Sequence, residues 1–127
     1  GEDANGLPNG YGVTAYKKST AVSAPSITMI ALEDVDPRSE NNGDWCFRVN
    51  TPGWVDPIAN YHGKATDFCF ADGHTEIHKL TDARLIEAAD KNANGTEDFN
   101  FPGGGINNRD FVWVWNRFRH SGWTELQ

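Results

Sequence analysis

Apolar and polar positions alternate along Thr66-Asp67-Phe68-Cys69-Phe70-Ala71 and again along His74-Thr75-Glu76-Ile77-His78-Lys79-Leu80, with Asp72-Gly73 between the two runs. Period two marks half-buried strands. Asp-Gly between two such runs marks a hairpin closed by a two-residue turn, whose two central positions both need positive φ. The register this predicts sets Phe70 opposite Thr75 and Phe68 opposite Ile77 on a core-facing side. Cys69, Ala71, Glu76 and His78 then take a wetter side, and Asp67 faces His78 within reach of an ion pair.

Other stretches carry weaker patterns. Ser26–Leu32 is a β-rich apolar run and predicts a central strand, with shorter strands over Tyr11–Tyr16 and Trp45–Val49. Glu33–Asp44 is acidic and turn-rich, a surface loop, and Asn50–Gly63 is irregular. After the hairpin Thr81 is suited to cap a helix. Asp82 suits its first turn, and Leu85, Ile86 and Ala89 share one face up to about Asp90. Phe111–Trp115 with Phe118 fits both period two and period 3.6. Asn108 as a cap, and Phe111, Val114, Trp115 and Phe118 on one stripe, favour a helix. The whole reads as a single α+β domain over residues 1–127: an antiparallel sheet containing a 66–80 hairpin, a short helix near 82–90 and long loops.

Composition narrows the function. A net charge of −7 repels polyanions, so nucleic acid and anionic membrane are poor partners. The acidic residues are dispersed, as on a solvated face. No stretch approaches the roughly 20 apolar residues that span a bilayer. Cys46 and Cys69 are either one disulfide or two thiols, and neither belongs to a CxxC pair.

His62 followed by nine residues and then Asp72-Gly73, in the context Tyr61-His62-Gly63 and Phe68-Cys69-Phe70-Ala71-Asp72-Gly73-His74, resembles the H-X9-DG signature of prepilin-like, pseudopilin-type proteins. Tyr11-Gly12-Val13 with Ala24-Pro25-Ser26-Ile27-Thr28-Met29-Ile30 is similar to that family's YGxN and PSxTxLL passage. Asp110–Arg117, with Trp113 and Trp115, is similar to its Trp-rich end. The resemblance implies the headgroup of a longer protein whose upstream hydrophobic helix anchors it in the inner membrane and packs in a filament. It also implies an extracytoplasmic location, pilin-like or secretion-system partners, and no catalysis.

His62, Asp72 and Gly73 read as structural: the aspartate and glycine suit a tight turn, and the imidazole suits a brace holding the preceding loop against the hairpin. No nucleophile with a base and orienter stands out. Asp90, Asn92, Asn94, Thr96 and Asp98 follow the alternate spacing of a Ca²⁺ loop with Gly95 at the sharp turn, although Phe101 stands where a bidentate Glu belongs. Pseudopilin headgroups carry Ca²⁺ in loops, so Ca²⁺ is the one cofactor entertained, and the other reading is ordinary helix capping. The five Trp residues fit either a small core or a sugar-stacking platform. Trp54, between Gly53 and Val55, is the candidate exposed aromatic for a rival reading, a cell-envelope carbohydrate- or ligand-binding module.

Overall fold

The computed structural model describes residues 16–40, 44–48, 51–99, 104–119 and 123–127. The chain forms β1 (Met29–Leu32), β2 (Phe47–Arg48), β3 (Gly53–Trp54), β4 (Ala65–Phe70), β5 (Thr75–Lys79), α1 (Ala83–Ala93) and α2 (Arg109–Trp115). An antiparallel three-stranded sheet has the order β1-β4-β5, and β2 pairs with β3 in a separate ribbon. The α+β class and the hairpin are as the sequence predicts. The strand expected over Tyr11–Tyr16 falls, except for Tyr16, outside the described residues.

The central strand is β4, not the 26–32 segment. Pro25–Ile27 is a 3-10 turn entered from Ala24 at φ 48°. The Thr28 hydroxyl donates to the carbonyls of Ser23 and Ala24 and ties the chain back on itself. Pairing therefore begins only at Met29, and β1 is an edge strand that carries a register shift between Met29 and Ala31.

The hairpin closes one residue differently from the expected register. Gly73 N donates to Phe70 O and Phe70 N to His74 O, each at 2.9 Å. The loop is thus three residues, Ala71–Gly73, with the glycine at φ 94°. This is a type I turn followed by a left-handed bulge residue. Ala71 N is held at 2.8 Å by the carbonyl of Thr28, the residue before β1, which keeps Ala71 at the strand end and out of a two-residue turn. Cys69 now faces Thr75, Phe68 faces Glu76, Asp67 faces Ile77 and Thr66 faces His78. A slip of one residue exchanges the faces of β5. Ile77, expected in the core, is 67% exposed. Glu76 and His78 turn instead toward α2, and the expected Asp67–His78 pair does not form.

What replaces the isoleucine is a polar and aromatic seam. The His78 ring stacks on Trp113 with centroids 4.1 Å apart, and the Arg117 guanidinium lies 3.7 Å from the Trp113 ring centre. His78 Nε2 is 3.0 Å from Asp110 Oδ1. Asp110 is 1% exposed. Its carboxylate also accepts from Thr81 N, Asp82 N and the Thr81 hydroxyl at 2.8–3.2 Å. Burial alone pushes its pKa up; the hydrogen bonds from His78 and from the amides of Asp82 and Thr81 outweigh this and hold the carboxyl below its usual range.

Those bonds explain the start of α1. Asp82, not Thr81, is the cap: its Oδ1 accepts from Arg84 N and Leu85 N, while Thr81 is engaged by Asp110. The helix also runs past Asp90 to Ala93. Asn92 is buried and clips the following loop, donating to Asp98 O and accepting from Asp98 N. Gly95 at φ 78° then turns the chain away. The second helix forms where expected, with Asn108 Oδ1 accepting from Phe111 N, but it ends at Trp115, and Phe118 packs on the core from beyond it. Phe111, Val114 and Trp115 are buried, and one apolar cluster joins them to Met29, Phe47, Trp54, Ile58, Phe68, Phe70, Leu80 and Leu85.

Two substitutions test this register and seam. Asp110→Ala strands two amides and an imidazole; it should lower stability by about 3–5 kcal/mol and the Tm by about 10 °C or more. The folded pKa of Asp110 lies below its unfolded value, so this contribution is present above the unfolded pKa and is lost as pH falls through the folded one. The gap between the two proteins in urea midpoint should therefore hold above about pH 5 and shrink in acid. Ile77→Thr should cost under about 0.5 kcal/mol, whereas a core-facing Ile77 would cost several-fold more.

Candidate functional site

His62 lies at the entrance of β4, and Asp72-Gly73 lies at its exit. The nine intervening residues are one strand with its two flanks. His62 consequently does not reach the hairpin turn. Its backbone N donates to Ala65 O at 3.3 Å, closing the tight loop that contains Gly63 and Lys64 at φ 67° and 68°. Its Nε2 lies 3.0 Å from Glu33 Oε1 and 3.4 Å from Asp67 Oδ2.

Glu33 follows β1 directly. The sheet fixes it, since Glu33 N donates to Asp67 O and Glu33 Oε2 accepts from Asp67 N, both at 3.2 Å. Three donor atoms, one each from Glu33, His62 and Asp67, lie within 4.8 Å of one another. They form the one group of metal-capable side chains among the described residues. The hydrogen bond to Glu33, then the charges of Glu33 and Asp67, raise the His62 pKa above the ordinary histidine value.

At the far end of β4 the turn is tied by the same kind of pair. Asp72 Oδ1 accepts from His74 N at 3.1 Å and lies 2.5 Å from His74 Nδ1. The His74 ring stacks on Phe70 and its Nε2 lies 3.3 Å from Glu76 Oε1. Hydrogen bonds to Asp72 and Glu76 raise the His74 pKa, and those from His74 lower that of Asp72. Each end of the motif therefore carries a histidine–carboxylate tie, a long-range one at His62 and a local one at Asp72.

The remaining sequence candidates are distributed differently. Trp54 is 6% exposed and packs edge-on to Phe111 and Trp45, so it presents no platform. A two-residue ribbon with both strands facing α2 buries it. Cys46 and Cys69 keep separate, half-buried thiols with no bridge between them. Cys69 sits in β4 opposite Ala31 and Thr75, whereas Cys46 is tied through its amide to Asp56 near the other ribbon.

The proposed Ca²⁺ spacing is divided by the longer helix. Asp90 and Asn92 are helical, two positions apart and so on different sides. Asp90 Oδ1 accepts from Asn60, Asn94 bonds the Asp90 carbonyl, and Thr96 N bonds Lys91 O. Asp98 pairs with Arg84 at 2.5 Å and Lys91 at 3.1 Å. Asp90, Asn92, Asn94 and Asp98 are thus each engaged within the chain.

Sequence patterns missed Glu33, which reads as the first residue of an acidic loop. They also missed the roles of Asp110 and Arg117. In the sequence these two residues mark only the ends of the Trp-rich stretch Asp110–Arg117. A groove of about 200 Å³ beside β1 is lined by Met29, Ile30, Leu32, Asp34, Trp45 and Phe118. A second, shallower depression of about 440 Å³ is lined by Asp34, Val35, Asp36, Tyr61, Asn92 and Gly95, and falls within the roughly 300–1,000 Å³ of common small-molecule sites. No helix among the described residues is long and apolar enough to cross a membrane. No protein-family model, curated protein or solved structure matches the chain.

The His62–Glu33 tie sets a pH dependence. A raised histidine pKa contributes stability that is present below the unfolded value and lost as pH rises through the folded one. NMR titration should place the His62 midpoint above that of an unfolded-chain histidine. Glu33→Gln should return it toward that value, and the two proteins should differ more in urea midpoint near about pH 5.5 than near about pH 9.

Proposed function

We propose that this chain is the non-enzymatic headgroup of a pilin-like, pseudopilin-type protein that works by contact with other subunits of a secretion or surface-fibre assembly. One observation carries the reading: both ends of the H-X9-DG stretch serve the architecture of the central strand. His62 ties the entrance of β4 to Glu33, and Asp72 ties its exit to His74. Their polar atoms are engaged by neighbouring side chains at the two ends of β4, His62 with Glu33 and Asp72 with His74, which favours contact over chemistry.

The outer side of the sheet fits a contact surface. Its two edge strands each carry an isoleucine that is 67% exposed, Ile30 in β1 and Ile77 in β5. In this reading the domain stands outside the cytoplasm on an anchoring helix upstream of residue 1, and its partners are pilin-like subunits or secretion-system proteins. The charge of −7 argues against nucleic acid. The rival, an envelope carbohydrate-binding module, loses its named aromatic because Trp54 is buried.

Cross-linking of the full-length protein in its native cells, followed by mass spectrometry, tests the proposal. Amine cross-links from Lys64 and Lys79, both exposed, should reach pilin-like subunits. Combined Ile30→Glu and Ile77→Glu substitution should remove them and leave the domain folded. Recovery of the protein without such partners, or bound to glycan instead, would contradict the reading.

A further inference from the structure

We propose that Glu33, His62 and Asp67 form a binding site for a divalent transition-metal ion of the zinc class, which staples the end of β1 to the start of β4. This goes beyond the pilin-like reading and does not depend on it.

The geometry supports it first. An ion held at about 2.1 Å by tetrahedral or octahedral ligands sets neighbouring donors about 3.0–3.4 Å apart. His62 Nε2 already stands 3.0 Å from Glu33 Oε1 and 3.4 Å from Asp67 Oδ2. The donors come from three separate parts of the chain: the residue after β1, the loop before β4, and β4 itself. Their supports are in place as well. Glu33 is held through its second oxygen and its amide, and His62 through its backbone bond to Ala65. Such outer contacts orient ligands before an ion arrives.

The charge balance points the same way. Nε2 carries one proton and can direct it at only one carboxylate, so hydrogen bonding leaves the second under-compensated. Asp67 is the less well met of the two: its Oδ2 stands 3.4 Å from Nε2, against 3.0 Å for Glu33 Oε1, and its Oδ1 accepts no hydrogen bond. A dication between two carboxylates and a neutral imidazole would balance all three groups. One nitrogen and two oxygens select against Ca²⁺ and Mg²⁺, which prefer all-oxygen shells, and suit Zn²⁺, Co²⁺ or Ni²⁺. The group is partly exposed, with His62 at 45%, so water would complete the shell. Metal and proton compete for Nε2, so binding would weaken as pH falls.

Calorimetry with Zn²⁺ and absorption spectroscopy with Co²⁺, on the intact 127-residue chain at about pH 7.5, test the site. One ion per chain should bind, and saturating Zn²⁺ should raise the Tm by about 5 °C where Ca²⁺ and Mg²⁺ do not. His62→Gln and Asp67→Asn should each weaken binding by about 30-fold or more. His74→Gln, at the other histidine–carboxylate tie, should leave it unchanged. Asp67→Asn changes shape least and serves if His62→Gln fails to fold. No uptake at about 1 mM Zn²⁺, or uptake that survives the His62 and Asp67 changes, or uptake lost with His74, would overturn the proposal.

Discussion

The Asp110 carboxylate holds three otherwise separate parts of this domain at one point. It accepts from the amides of Thr81 and Asp82 between β5 and α1, from the Thr81 hydroxyl, and from His78 within β5, while itself belonging to the first turn of α2. Asn108, the cap of α2, reaches back to Asp82, the cap of α1. The two helix starts and the outer strand are thus mutually satisfied. A buried charge is costly unless several donors meet it, and here they do. The side of β5 that faces α2 must then carry His78 rather than Ile77, so the hairpin register and this carboxylate imply one another.

The opposite end of β4 is organised by a second carboxylate tie with a different character. Glu33, His62 and Asp67 are partly exposed, and their bonds are screened by water, so their contribution to stability is small. Their value is positional: they fix where the edge strand ends and where the central strand begins. The His62-to-Gly73 stretch reads as a strand with a tie at each end. That economy agrees with the proposed contact role, and the three-donor group is the site proposed above for a metal ion.

Sequence patterns showed much of the fold and less of the site. The alternation across 66–80 and the Asn108 cap gave the hairpin and α2 because both signals are local. The register did not follow from Asp-Gly alone. A glycine after Asp serves a two-residue turn and a three-residue bulged loop equally well, and the choice depended on Thr28 holding Ala71. The end of α1 was misplaced because Asn92 normally signals a stop. Here its amide is satisfied by Asp98, 6 positions on, which no local rule reports. The Gly and Pro neighbours of Trp54 point to a surface loop, yet a short ribbon turns the ring onto Phe111. Glu33 carried no signal, since its partners lie 29 and 34 positions away.

Native-state hydrogen exchange of the Thr81 and Asp82 amides measures the central interaction without altering the protein. If Asp110 joins strand and helices into one cooperative unit, both amides exchange only through global unfolding, as slowly as those of Phe68 and Phe70 in β4. Exchange at the rate of the exposed loops, with β4 still protected, would show that this carboxylate does not hold the fold together.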